Sequence, residues 1–163
     1  VVCAIARTGA FRRRPQLIVP LLPYLGETNL LDLWSRIDLA PIVRQAGHGE
    51  LAYKLIKPLI REVTSRACDY PWVQVQVGRE LNELGQPQRA LRMINRSRPR
   101  SVRSWKDEQA DRLLVAADAL RALHRPYQAL ALYRIARDVG SNDANRPMAA
   151  LEHELGLDAN PAA

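Results

Sequence analysis

The chain has 163 residues, 47% apolar and 25% charged, which suits one globular domain with a continuous core and excludes intrinsic disorder. Its net charge of +7 is carried by 21 Arg against 3 Lys; this makes an acidic partner chemically reasonable, although a GC-rich genome produces the same bias. No apolar run approaches the roughly 18 residues of a membrane span, and Cys3 and Cys68 form neither a metal-ligand spacing nor a disulfide framework.

Aromatic residues are sparse at 6%, while Ala, Leu and Arg are abundant, a mixture that favours helix. The chain also repeats. A shift of 38 residues superposes Gly9, Gly47 and Gly85, pairs Trp34 with Trp72 and Ala52 with Ala90, and lays Leu17–Leu22 on Leu55–Ile60. A shift of 39 carries Ala90 and Leu91 to Ala129 and Leu130. Four helical hairpins follow, at 1–28, 29–66, 67–103 and 104–140, with a capping helix and tail at 141–163.

In the first unit Gly9 reads as the turn, Arg14 replaces the small residue found in later units, and Pro20 predicts a kink in the second helix. In the second, Leu39 and Val43 precede the turn at Gly47, while Ala52, Ile56 and Leu59 follow it. Pro41 predicts a break in the first helix of that unit, and Pro58 repeats the kink of Pro20. In the third, Trp72–Val77 imitates a strand by alternation but opens a repeat helix, so it reads as helix despite its β-branched valines. Val77 and Leu81 then precede Gly85, with Pro87 in a first turn and Ala90 and Ile94 beyond. In the fourth, Ser104 caps a helix with acids in its first turn, Ala116 and Leu120 lead to His124 in glycine's place, and Pro126, Ala129, Tyr133 and Ala136 follow. Gly140 and Gly156 read as helix stops around a capping helix at Pro147–Leu155. Each helix carries one apolar stripe at period 3.6, the pattern of a helix packed on neighbours.

The stretch Val77–Ile94 resembles a tetratricopeptide repeat, with small Gly78, large Leu81, the turn at Gly85, small Ala90 and large Ile94. Ala116–Ala136 is similar, with Ala117, Leu120, Ala129, Tyr133 and Ala136 in the corresponding places. The 38-residue spacing is nearer the Sel1-like variant than the usual tetratricopeptide period. The resemblance implies an all-α fold: a right-handed α-solenoid of three to four antiparallel hairpins whose first helices line a concave groove. That groove would present Trp34, Asp38, Arg44 and Gln45, then Trp72, Gln76, Arg79, Asn82 and Glu83, then Asp111, Asp118 and Arg121. Its mixture of Trp, Arg and carboxylates suits a peptide or protein partner. The alternative for Trp34 and Trp72 is packing between repeats.

A second candidate surface is a basic run without acids: Arg89, Arg92, Arg96, Arg98, Arg100, Arg103 and Lys106. With Arg12, Arg13 and Arg14 it is a candidate track for RNA or DNA. Its single aromatic, Trp105, favours a solvated face or an acidic protein surface over a nucleic acid. No catalytic role, metal or cofactor is assigned: His48, His124 and His153 lie far apart, and no metalloprotease, phosphate-loop or dinucleotide motif occurs. The expectation is a non-catalytic scaffold or adaptor, a piece of a larger bacterial assembly or longer chain. The start at Val1, without an initiator Met or an intact signal peptide, reads as a processed or trimmed product, with the cytoplasm as the default compartment.

Overall fold

The structure, a computed structural model, describes residues 9–25, 31–64, 71–96 and 105–157. Among these residues every regular element is helical and none is a strand. The chain divides into two compact bodies, residues 1–68 and 69–163.

In the first body a short helix α1 (Gly9–Arg13) leads to a 3-10 turn at Pro15–Leu21 and a single turn, α2 (Leu22–Leu25). Gly9 therefore lies within a helix, whereas the repeat register makes it a turn. The expected long second helix is replaced by 3-10 geometry because Pro15, Pro20 and Pro23 each lack an amide donor for an α-type bond. Helices α3 (Leu33–Gln45) and α4 (Gly49–Thr64) then pair as a hairpin. Asp32 starts α3 by accepting the Ser35 amide at 2.7 Å, and Arg36 donates from Nε to the Leu31 carbonyl at 2.8 Å. The break expected at Pro41 does not occur, and α3 continues past it to Gln45. Burial of Ile37, Leu39, Ile42 and Val43 around that proline offsets the hydrogen bond that the Ile37 carbonyl loses. Pro58 likewise sits inside α4.

The second body is built from α5 (Pro71–Glu83), α6 (Pro87–Arg96), α7 (Trp105–Ala122), α8 (Pro126–Asp138), a 3-10 turn at Asn142–Ala144 and α9 (Asn145–Glu154). The strand-like alternation of Trp72–Val77 is helix, as its place in the register requires. Helix α5 packs on α6 and on α7, α6 on α7, α7 on α8, and α8 on α9. The crossing of α5 and α7 is close. A Cβ built on Gly78 would lie 2.8 Å from Val115 Cγ1 and 3.2 Å from Met93 Cε, so glycine is the residue that lets the helices approach. Around Tyr133, wholly buried, gather Leu114, Ala117, Leu120, Leu130, Met148 and Leu151, so α9 closes the core that α7 and α8 begin.

Five helices end in one geometry. After α3, α5, α7, α8 and α9, residues 47, 85, 124, 140 and 156 take positive φ. In each case the next amide bonds back to the third-last helical position, as His48 does to Val43, Gln86 to Leu81 and Arg125 to Leu120. Four of the five positions are glycine; the fifth is His124, at φ 56. Ala52, Ala90 and Ala129, five residues beyond the inter-helix turns, are fully buried.

Candidate functional site

Helix α5 carries Trp72, Gln76, Arg79 and Glu83 along one row, with Asn82 beside it, and α7 carries Asp111, Asp118 and Arg121. Gly78 brings these two helices together, and polar side chains then bridge them. Arg79 Nη2 meets Asp111 Oδ1 at 2.6 Å, with both side chains about two-fifths exposed (40% and 43%). One turn on, Asn82 Nδ2 donates to the Val115 carbonyl at 2.9 Å, occupying the lone pair left over from that carbonyl's place in the helix ladder. The other amide atom, Asn82 Oδ1, is enclosed and has no donor among the described residues.

Asp118 is the centre of the charge cluster. The hydroxyl of Tyr133, reaching out of the core from α8, donates to its carboxylate at 2.5 Å. Crowding by protein atoms raises the Asp118 pKa above the ordinary carboxylate value; the Tyr133 hydrogen bond, Arg79 and Arg121 pull it back, and Glu83 pushes it further up. The Tyr133 phenol is pushed well above its usual range, first by burial and then by the hydrogen bond and charge of Asp118. Arg121 in turn forms an ion pair with Glu154 of α9.

Six of the sequence-derived groove residues are therefore brought together: Arg79, Asn82, Glu83, Asp111, Asp118 and Arg121. Trp72 and Gln76 stand on the same helix towards its start, each part-buried. Trp34, Asp38, Arg44 and Gln45 all lie on α3 in the first body, where Arg12 Nη2 reaches Asp38 at 3.5 Å and Trp34 is 40% exposed. Two members of the cluster escaped the sequence reading. Tyr133 was legible as core, but its hydroxyl partner lies across a hairpin; Glu154 belongs to a helix read only as a cap.

On the basic run, Arg89 and Arg92 are exposed on α6, bonded to Gln86 Oε1 at 2.8 Å and the Gln88 carbonyl at 3.3 Å. Arg96 and Lys106 belong to α6 and α7, but their side chains, like Arg98, Arg100, Arg103, Ser104 and both cysteines, lie outside the described residues. Arg12, Arg13 and Arg14 are exposed in the first body. Among the described residues no helix is long and apolar enough to cross a membrane. No protein-family model, curated protein or solved structure matches this chain.

Proposed function

We propose that this chain is a non-catalytic, tetratricopeptide-like scaffold or adaptor that holds a protein or peptide segment on the α5–α7 face of its second body. The observation that carries the reading is the junction of the two helices at Gly78, with Arg79–Asp111 and Asn82–Val115 bridging the same side. Polar groups held this way are oriented before a partner arrives, which lowers the entropy that binding has to overcome. The order of packing within the second body supports it too: each of its helices rests on its neighbours in sequence, and α5 and α7, the first helices of its two hairpins, also meet.

The chemistry of the face refines the partner. Arg79 and Arg121 share it with Glu83, Asp111, Asp118 and Glu154, so it suits a segment of mixed charge. An acidic partner surface is matched by the exposed arginines elsewhere, Arg12 to Arg14 with Arg89 and Arg92. Those same arginines are what a nucleic-acid-binding alternative would use. That alternative requires a steep fall of oligonucleotide affinity with salt, and a flat profile or no binding at low salt removes it.

The groove reading is tested by Arg79→Glu and Arg121→Glu, separately and together, against a partner recovered from the native source. Each arginine is exposed by more than a third, and an exposed ion pair of this kind contributes at most about 1 kcal/mol, so the fold is expected to survive its loss at each site. Partner affinity is expected to fall about tenfold or more while the helical circular dichroism and melting curve hold. Unchanged affinity in the double variant rejects this face as the binding surface.

A further inference from the structure

Away from the α5–α7 face, Ile94 on α6, Leu113 and Ala116 on α7 and Leu132 on α8 line a cleft of about 340 Å³. Arg112 Nη2 donates to the Ile94 carbonyl at 2.7 Å, which sets the C-terminal end of α6 beside the first half of α7. Glu108, one helical turn before Arg112, borders the same space. Its Oε2 is turned inward and has no hydrogen-bond donor among the described residues. A buried carboxylate oxygen ordinarily has a partner, and rotation about the last side-chain bond can present either oxygen of Glu108 to the cleft.

Two opposite charges border the cleft, the Glu108 carboxylate and the Arg112 guanidinium one turn apart on α7. Among the described lining residues the cation is Arg112, which directs an arm of its guanidinium at the Ile94 carbonyl. Burial lowers the pKa of Arg112 and Glu108 raises it, as expected where protein has replaced much of the water. An apolar cleft with a few convergent polar groups is the usual form of a small-molecule site, and this one lies near the small end of the size range.

We propose that this cleft binds a small organic cation: a primary ammonium on a branched aliphatic body of about leucine size. The ammonium donates to Glu108, and the body lies against Ile94, Leu113, Ala116 and Leu132. The site is separate from the proposed partner face and does not depend on it.

Three probes with one carbon skeleton test the assignment: 3-methylbutylamine, 3-methylbutan-1-ol and 3-methylbutanoate. Each is titrated into the full chain while the methyl resonances of the four apolar residues are followed by NMR. The amine is expected to shift them at about five- to tenfold lower concentration than the alcohol, because its hydrogen bond is charge-assisted. The carboxylate is expected to bind weakest. Glu108→Gln should bring the amine to the level of the alcohol and leave the ligand-free spectrum in place. Tightest binding by the carboxylate overturns the proposal by making Arg112 the recognising group. Equal binding of all three reduces the cleft to apolar shape, and no shift up to the solubility limit removes the site. These comparisons are made on the parent chain, so they decide the matter even where the variant folds poorly.

Discussion

Tyr133 belongs wholly to the core, yet its hydroxyl ends at a carboxylate on the candidate face. That single bond joins the packing of the second body to its surface electrostatics. Because the folded-state pKa of Asp118 is raised, the sign of its effect differs from that of an ordinary salt-bridged aspartate. Below the normal carboxylate pKa both states hold the proton, and Asp118 makes no difference between them. As pH climbs from that value to the raised folded value, the unfolded chain releases a proton that the folded chain keeps. Stability therefore falls through this window, and the loss is complete above it. Asp118→Asn keeps an acceptor for Tyr133 and removes the titration. Its melting temperature relative to the parent is expected to rise from pH 3 towards neutrality. A difference that is flat or falls with pH contradicts the origin assigned to the shift.

At the scale of elements, the turn after α7 shows how a local rule is obeyed by the wrong residue. His124 holds the left-handed conformation that glycine supplies at the other four helix ends, and histidine adopts it at a cost of about 1–2 kcal/mol. Part of any gain from glycine is lost to the greater freedom of the unfolded chain. His124→Gly is accordingly expected to stabilise the protein by about 0.5–1 kcal/mol, read as a higher denaturant midpoint at unchanged m-value. These turns were legible in the sequence because a positive-φ position restricts the residue type and the register repeats it. The first hairpin was not, since three prolines in nine residues override an apolar pattern that otherwise reads as helix. Pro41 failed in the opposite direction. There the cost of one missing amide is smaller than the burial gained by continuing α3.

At the scale of the whole molecule, each helix of the second body packs on its neighbours in sequence, so its last helix is expected to matter more than its length suggests. Leu151 of α9 is buried in the cluster around Tyr133, and Met148 joins it there. Leu151→Ala is expected to cost about 2–5 kcal/mol by removing the methyl groups and leaving a cavity. Hydrogen exchange should quicken first in α8 and α9. Uniform loss of protection across α5 to α9 would show a single cooperative unit instead. The pattern of small and large residues was readable one helix at a time, and the burial of Ala52, Ala90, Ala129, Val77, Leu81 and Tyr133 follows it. Six of the eight clustered side chains were readable as sharing a face, because positions on first helices are related by register alone. What escaped were bonds between residues far apart in sequence, Tyr133 with Asp118 and Arg121 with Glu154, for which periodicity carries no signal.

The crossing of α5 and α7 has a consequence beyond this chain. Positions 78 and 115 draw on a single small volume, and here valine occupies nearly all of it. A descendant with alanine or serine at 78 should therefore carry something slimmer than valine at 115. One with bulk at both would have to splay the two helices and pull the guanidinium at 79 away from its carboxylate, so the sizes at these two sites should vary inversely wherever the face is retained.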